Sequence, residues 1–221
     1  LLQVARMIKS EAEIEKLNHI CQIASETFGV LPKVISQKMS MQEIFRLFKL
    51  MALQHGADDV PYVVGNVGEG GYTDIISLPS KHSLRAGDVL MLDSGCVWDG
   101  YFCDFNRNWA IGKVDEQSRR VYDVLWRATE AGIEATHPGM LVSDLFSIMS
   151  QILSEVDSSV GSIGRFGHGL GLQLTEQPSI AIFDKTELQP NMVFTLEPCL
   201  SYGDGLIMVH EENLVVTKSG V

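Results

Sequence analysis

Residues 90–109 read LMLDSGCVWDGYFCDFNRNW, and this stretch decides the fold. Two apolar segments flank Asp99 and Gly100, a dipeptide that strongly favours the two-residue turn of a β-hairpin. Each predicted strand carries a carboxylate where a buried strand is normally apolar, Asp93 in the first strand and Asp104 in the second. Two buried carboxylates are stable only if a positively charged or hydrogen-bonding group compensates their charges.

The turn also determines which residues face each other. Trp98 is expected to face Tyr101. Gly95 is expected to face Asp104, and Asp93 then lies diagonal to Asp104 on the same face of the sheet, roughly 7–8 Å away at the backbone. Gly95 leaves space at this point. Two buried like charges are costly alone, whereas a shared cation stabilises both, so we expect a metal site on this face.

A second pair of carboxylates interrupts apolar segments near the end of the sequence. Glu197 lies in VFTLEP at residues 193–198, and Glu211 lies between apolar residues 206–209 and 214–216. A five-residue hairpin turn at residues 201–205 is expected to place the two glutamates directly opposite each other. Like charges in such a pair are destabilising unless a cation lies between them. Glu212 is expected to point away from them.

One histidine joins this set of carboxylates. His168 lies in GHGLGL at residues 167–172, where the glycines permit close approach of the backbone. A single histidine is commonly a core or surface residue, but here it completes an oxygen-rich donor set that suits a two-metal site. Two metals roughly 3.5–4 Å apart can ionise a bridging water, clamp a substrate and stabilise an oxyanion.

The composition is that of a globular protein with a substantial core. The 221 residues are 45% hydrophobic and can form one large domain or two small ones. A net charge of −11 without a basic stripe argues against nucleic-acid binding. No run of ~20 apolar residues predicts a membrane span, and no signal peptide is recognisable. We therefore expect a cytoplasmic protein with neither a nucleic acid nor a membrane as its partner.

The cysteines indicate the oxidation state of the protein, and the first residues indicate its domain organisation. Four cysteines without a CxxC pair favour reduced thiols, although Cys96 and Cys103 would be cross-strand neighbours able to form a disulfide. The chain starts at Leu1 rather than Met. We therefore expect a fragment, in which residues 1–9 link a missing N-terminal domain to a single domain within residues 1–221.

The predicted elements occur in the same order in both halves of the chain. Helices are expected to begin at Ser10, Ser40, Asp115 and Ser143, with interruptions at Gly29 and Pro32, at Gly56 and at residues 137–139. Extended segments are expected at residues 61–64, 73–77, 161–174, 192–200 and 205–216. Each half runs helix, break, helix, strands, which predicts a pseudo-twofold α+β domain with one central site.

The series Asp93, Asp104, His168, Glu197 and Glu211 resembles the metal-binding signature of the pita-bread metallopeptidases. This family includes methionine aminopeptidase, Xaa-Pro aminopeptidase and prolidase, with creatinase as a metal-free relative. Shorter segments are similar as well, namely IKSEAEI (8–14), AGD (86–88), LDSG (92–95), GYFCD (100–104) with Arg107, and FTLEP (194–198). The resemblance spans essentially the whole chain. It implies the pita-bread fold, an antiparallel sheet covered by helices, in the C-terminal catalytic domain of an Xaa-Pro peptidase-like protein.

This resemblance implies two divalent metal ions, with Mn²⁺ first and Co²⁺, Fe²⁺ or Zn²⁺ as alternatives. Asp93 would hold one ion, His168 and Glu197 the other, and Asp104 and Glu211 would bridge both. Glu197 would exchange protons with a water between the ions. Two-domain family members are commonly dimers, so a homodimer acting on a small peptide or small-molecule substrate is implied by analogy.

The chain departs from the family where the family handles its peptide substrate. Two assisting histidines are absent: residues 71–74 read GYTD in the region of the first, and Thr175 stands at the position of the second. Val209 and Cys199 replace a usual arginine and a usual glycine. A threonine hydroxyl can donate a hydrogen bond but cannot shuttle a proton near pH 7.

Three hypotheses for the function follow. The first is a dinuclear Xaa-Pro dipeptidase or aminopeptidase with altered substrate contacts. The second is a same-fold enzyme acting on a small non-peptide substrate, such as an osmolyte hydrolase or a dimethylsulfoniopropionate lyase, and the third is a catalytically weak binding protein. The expected catalytic residues are Glu197, His168 and Thr175. The expected substrate-binding residues are Thr175, Tyr72 and Phe166, with Tyr62 as a further residue of the cleft wall.

Overall fold

The computed structural model describes residues 2–157 and 164–221, which form two halves, each with helices followed by strands. The first half contains α1 (Leu2–Met7), α2 (Glu11–Val34), α3 (Met41–Gln54), β1 (Asp59–Glu69), β2 (Asp88–Trp98), β3 (Tyr101–Phe102) and β4 (Phe105–Ala110). The second half contains α4 (Glu116–Ala135), α5 (Val142–Leu153), β5 (His168–Gly169), β6 (Glu176–Ser179), β7 (Val193–Leu196), β8 (Cys199–Tyr202), β9 (Leu206–Val209) and β10 (Glu212–Val215). The predicted order of helices and strands in each half is therefore confirmed.

Side-chain caps start three of the four long helices where the sequence predicts them. Ser10 and Ser40 each form a capping box with the glutamate three residues later. Asp115 accepts a hydrogen bond from the backbone N–H of Ser118 at 2.7 Å. The fourth prediction is wrong, because Leu141 precedes α5 without a side-chain cap and Ser143 lies inside the helix, where its hydroxyl accepts a hydrogen bond from Lys185.

One further prediction about the first half is wrong. Helix α2 continues through Gly29 and Pro32, because burial of Phe28 and Leu31 extends its apolar stripe beyond them. Within the segment expected to be a linker, residues 2–7 form a short helix.

Strand β1 is longer than its sequence suggests. It covers eleven residues and pairs with β2 along most of its length, whereas two short extended pieces at 61–64 and 73–77 were expected. Residues 73–77 form bends. The second part of β1, GNVGE, has little intrinsic strand preference, so pairing with the buried β2 determines its conformation.

The hairpin at residues 90–109 has the predicted register. Trp98 pairs with Tyr101, and Asp93 pairs with Asn106 beyond a short break in the ladder. Asp104 lies in that break. Its backbone N–H donates to the side-chain oxygen of Asn213 at 3.0 Å, and its carbonyl accepts from the Asn213 amide nitrogen. A side chain of the second half therefore replaces strand pairing at Asp104.

The last two predicted strands are each divided in two. Residues 192–200 contain β7 and β8, and residues 205–216 contain β9 and β10. The turn consists of residues 203–205, three residues rather than the predicted five, since Tyr202 pairs with Leu206. The register on both sides of the breaks places Glu197 opposite Glu211. The predicted strand at 161–174 is reduced to β5, and its first three residues lie outside the described part.

Two hydrophobic cores meet at β2. Leu90 and Leu92 pack into a core with α2 and α3, while Val89 and Met91 pack into a core with α4 and α5. Asp93 continues the row of Val89 and Met91, because alternate residues of a strand share a face. The carboxylate is thereby placed between the two halves.

The cysteines and the helices agree with a protein that has neither disulfides nor membrane-spanning helices among its described residues. The four cysteines are free thiols, so the alternative of a disulfide between Cys96 and Cys103 is not realised. Among the described helices, none has the length and hydropathy required to cross a bilayer.

Candidate metal centre

The five predicted ligand residues converge at the junction of the two halves. Asp104, His168 and Glu211 each offer one ligand atom, and these three atoms lie within 4.8 Å of one another. Nε2 of His168 is 3.6 Å from Oδ2 of Asp104 and 3.9 Å from Oε1 of Glu197. The carboxyl group of Asp93 interacts electrostatically with those of Asp104 and Glu197. We call these five residues the carboxylate cluster.

In the absence of a cation, the surroundings of the carboxylate cluster disfavour ionisation of its carboxyl groups. Burial, followed by the charge of Glu197, raises the pKa of Asp104 to about 7. Burial and the neighbouring carboxylates raise the pKa values of Asp93 and Glu211 well above their usual range. Burial also raises the pKa of Glu197, although the positive charge of Arg165 opposes the effect. Each carboxyl group thus binds a proton more readily than usual when no cation is bound.

The free oxygens of the cluster fit a metal. Oδ1 of Asp93, Oδ1 of Asp104 and Oε1 of Glu211 are buried and have no hydrogen-bond partner among the described residues. Buried polar atoms are normally paired, so three unpaired oxygens in one place require an explanation. Four carboxylates and one imidazole are suitable ligands for Mn²⁺ and similar divalent ions.

The orientation of His168 suits a role as a ligand. Its Nδ1 lies 3.0 Å from the carbonyl oxygen of Gly169, which assigns the ring proton to Nδ1 and leaves the Nε2 lone pair directed at the cluster. Its backbone N–H donates to Oγ1 of Thr195 at 3.2 Å. Burial lowers the pKa of the imidazole, which keeps the ring neutral and able to bind a cation.

Close backbone contacts explain the glycines around His168. A Cβ atom on Gly167 would lie 2.0 Å from the carbonyl oxygen of Thr195, and one on Gly169 would lie 2.1 Å from that of Gln177. The neighbouring atoms are backbone and cannot move aside easily. The predicted close approach of the chain at His168 is confirmed at both positions.

Replacing Gly169 with alanine is therefore expected to destabilise the protein by about 1–3 kcal/mol or more, as overpacking does. The displaced backbone should also weaken metal binding through His168. Urea denaturation and metal analysis measure the two effects. Gly29→Ala is the matched control, because a Cβ atom at this exposed helical position meets nothing within 4 Å. A stability for Gly169→Ala equal to that of the control would contradict the close packing.

Gly95 has the predicted location, but the space above it is filled. A Cβ atom there would lie 2.6 Å from a methyl group of Leu174. The glycine therefore accommodates a side chain from the second half of the chain. This contact joins β2 to the segment that follows His168.

Arg107 holds the segment that carries Glu211. Its guanidinium donates to the carbonyl oxygen of Glu211 at 2.8 Å and to the carboxylate of Glu212 at 3.0 Å. Glu212 thus points away from the cluster, as predicted. The sequence marks Arg107 only by its position after Asp104, and its partner more than 100 residues away could not be identified from spacing.

Two of the expected substrate-binding residues belong to the core. Tyr72 is 1% exposed, its hydroxyl donates to Asn108 and it accepts from the N–H of Val209. Phe166 is 3% exposed and stacks on Phe146 with ring centroids 4.4 Å apart. Neither ring is available to a substrate, so the prediction that they line the cleft is wrong. Both rings pack in the core that contains α4 and α5.

Tyr62 and Thr175 are more accessible. Tyr62 pairs with Gly95 on the cluster face of β1, and its half-buried side chain lies near Asp93. Thr175 is exposed and lines a small cavity together with Arg165. Nε of Arg165 lies 3.5 Å from Oε1 of Glu197. Arg165 carried no signal in the sequence beyond its place three residues before His168.

The chain matches a known protein family over most of its length. The model of metallopeptidase family M24 matches residues 15–219. The Xaa-Pro dipeptidase of Pyrococcus furiosus is 27% identical over 218 residues, which cover 97% of this chain and 62% of that protein. The chain thus spans about three-fifths of the length of the curated relatives it matches.

Solved structures show the same architecture. The prolidase from Pyrococcus furiosus superposes with a TM-score of 0.90 at 26% identity, over 99% of this chain and 65% of that one. The dipeptidase PepE from Mycobacterium ulcerans superposes with a TM-score of 0.92 at 25% identity, over 99% of this chain and 59% of that one. These likenesses extend through both halves of the chain.

Proposed function

Because the chain belongs to metallopeptidase family M24 and has the pita-bread fold, we propose that it is a dinuclear metal-dependent hydrolase of Xaa-Pro dipeptides. The observation that carries the proposal is the convergence of five predicted ligand residues around buried, unpaired carboxylate oxygens. The activity named for its Pyrococcus relative supports the choice of substrate.

The residues proposed to hold the ions are Asp93, Asp104, His168, Glu197 and Glu211. Manganese is the ion we favour, since oxygen ligands with one imidazole suit it. Bound divalent ions supply Lewis-acid activation of the peptide carbonyl and neutralise the carboxylate cluster.

Glu197 is the residue we propose for proton transfer. Its side chain is 22% exposed, against 6% for Asp104, so among these two it is the one that solvent and substrate reach more easily. A carboxylate with a raised pKa can accept a proton from water and return it to the departing amine. His168 remains neutral and holds its ring orientation, while the Thr175 hydroxyl donates a hydrogen bond that orients the substrate.

The deciding experiment combines elemental analysis with a substrate panel. The purified protein is loaded with Mn²⁺ or stripped with a chelator, and then assayed with Xaa-Pro dipeptides, longer Xaa-Pro peptides and small osmolytes. We expect about two metal ions per chain and turnover of the dipeptides only in the loaded form. Turnover that persists after complete metal removal would refute the proposal.

The altered substrate contacts support a second candidate, an enzyme acting on a small non-peptide substrate. Within residues 2–157 and 164–221, His168 is the histidine of the carboxylate cluster, and exposed Thr175 stands where the family has another. Metal binding with turnover of an osmolyte but of no peptide would select this candidate. Metal binding without any turnover would select a catalytically weak binding protein.

Replacing Thr175 with histidine is expected to raise kcat for Xaa-Pro dipeptides by roughly tenfold, because an imidazole can transfer protons near pH 7. Initial rates over a range of substrate concentrations measure the change. Thr175→Gln is the control, since it supplies a hydrogen-bond donor without a titratable group. A gain of equal size in both variants would contradict a proton-transfer role at this position.

We also propose that the protein is a homodimer and is located in the cytoplasm. Large apolar side chains at the surface, including Phe183 at 74% exposure and Leu78 at 82%, support a homodimer. Four free cysteines support a reducing, cytoplasmic environment. Light scattering on the purified protein tests the first statement, and fractionation of the source cells tests the second.

A further inference from the structure

A cavity of about 640 Å³ lies between strand β4 and the first half of helix α4, and we call it the β4–α4 cavity. Its volume is in the range of pockets that hold small molecules, roughly 300–1,000 Å³. The buried side chains of Val89, Val114 and Met208 form its apolar part. The five residues of the carboxylate cluster are not among the described residues of this lining, so the cavity is separate from the candidate metal centre.

Aromatic side chains form much of the remaining lining. Tyr122 and Trp126 lie one helical turn apart on α4, and Trp109 of β4 lines the same space. Trp126 is 47% exposed and has no aromatic partner in the described part of the chain, and Tyr122 is half-buried. Two of the three tryptophans of the protein thus line one cavity. Large flat side chains that remain open to solvent are suited to stacking on a planar ligand.

The exposed end of the cavity has a guanidinium without an ion-pair partner. Arg119 and Asp123 are four residues apart on α4, which is the spacing of a helical ion pair. Asp123 pairs instead with Nε of Arg127 at 3.1 Å, and Arg119 has no ion pair in the described part of the chain. The hydroxyl of Tyr122 likewise makes no hydrogen bond to a described residue.

The acidic groups near Arg119 are compensated by other arginines. Arg127 pairs with Asp123 and, at 2.7 Å, with Glu155. Arg120 also acts electrostatically on Glu155 and lowers the pKa of its carboxyl group. Three guanidinium groups therefore stand against two carboxylates, and the one left over is at the cavity. A free guanidinium favours an anionic ligand, because its planar N–H donors match a carboxylate.

We propose that the β4–α4 cavity is a binding site for a planar aromatic carboxylate. The ring of the ligand stacks on Trp126 and Tyr122, and its carboxylate accepts hydrogen bonds from Arg119 and from the Tyr122 hydroxyl. The site is additional to the proposed hydrolase function and does not depend on it.

Three probes test the proposal on the complete chain. Naphthoate is planar and anionic, naphthamide of the same isomer has nearly the same shape without the charge, and cyclohexanecarboxylate has the charge without an aromatic ring. Isothermal titration is expected to show roughly tenfold tighter binding of naphthoate than of naphthamide, as hydrogen bonds to a charged group imply. Cyclohexanecarboxylate should bind about threefold more weakly than naphthoate or worse, because it cannot stack.

Variants of α4 locate the bound probes. In Arg119→Met, naphthoate and naphthamide should bind within about twofold of each other, and Arg119→Lys should keep part of the preference. Trp126→Ala should weaken binding of both aromatic probes about threefold or more. Arg120→Met is the matched control, because Arg120 is the next residue of the same helix and is exposed but does not line the cavity. It should bind all three probes as the unchanged protein does.

The titrations are carried out with Mn²⁺-loaded and with chelator-treated protein, since a carboxylate can also bind to a metal ion. The preference for naphthoate should be equal in the two preparations. A preference that requires Mn²⁺, or that persists in Arg119→Met, places the anion elsewhere and overturns the proposal. Equal affinity of naphthoate and naphthamide, or binding of neither at millimolar concentration, overturns it as well.

Light scattering at the same protein concentration shows whether a second copy of the chain covers the cavity instead. A dimer that Trp126→Asp dissociates, together with absence of probe binding, would replace the ligand site by an interface between copies. Dipeptide turnover is not a measure of this site, so each of these outcomes leaves the test of the hydrolase function unchanged.

Discussion

Replacing Asp104 with asparagine is expected to abolish metal binding and activity while it stabilises the metal-free protein. Asp104 lies within reach of both His168 and Glu211, so its loss removes the central ligand of the proposed site. Metal affinity should fall by more than about 100-fold, because changes in the groups that merely support ligands already cost 10–100-fold. Hydrolysis of Xaa-Pro dipeptides should fall with it.

The stabilisation has a separate cause. The buried carboxylates repel one another in the absence of a cation, and asparagine removes one of these charges at nearly constant volume. We expect a gain on the order of a few kcal/mol at pH 8 for the chelator-treated protein. Urea denaturation and elemental analysis measure the two effects. Asp204→Asn, in the exposed turn between β8 and β9, is the control and should change neither. An unchanged metal content in Asp104→Asn would refute the ligand assignment.

The stability advantage of Asp104→Asn is expected to depend on pH. Burial raises the pKa of Asp104 from about 4 in the unfolded chain to about 7 in the folded one. A carboxyl group with a raised pKa binds its proton more tightly in the folded state. Its stabilising contribution is therefore complete below pH 4 and is lost as the pH rises through 7.

In the metal-free state, the difference in unfolding free energy between variant and unchanged protein should grow from pH 4 to pH 7. The limiting slope is about 1.4 kcal/mol per pH unit for one group. Using the difference cancels contributions common to both proteins, such as that of His210, whose pKa is lowered by burial to about 4. Saturating Mn²⁺ should reverse the order, since the unchanged protein alone gains binding energy. A pH-independent difference would contradict the proposed repulsion at Asp104.

The parts of the fold that depend on local signals could be predicted from the sequence. Asp99 and Gly100 determine a turn, and the two-residue period of a strand then places Asp93 and Asp104 on one face. Ser10 and Ser40 start helices through contacts within one turn. These features need no knowledge of distant residues.

Several of the wrong or missing predictions involve contacts between distant segments. The second part of β1 is extended because β2 lies beside it, and α2 passes Pro32 because Leu31 is buried. Tyr72 is taken into the core by hydrogen bonds to Asn108 and Val209. Arg107 and Arg165 acquire their importance from Glu211 and Glu197, which are far along the chain. A pattern within one segment contains no information about such partners.

The side chain of Asn213 makes formation of the site depend on association of the two halves. Its amide combines N–H donors with a carbonyl acceptor, and it uses one N–H and the carbonyl oxygen on the backbone of Asp104, as a paired peptide group would. The first half of the molecule thus supplies the carboxylate, and the second half holds it in place. Neither half alone would contain the proposed metal centre. Cation uptake is therefore expected to report that the halves have docked, and a refolding experiment can follow it as a signal of their assembly.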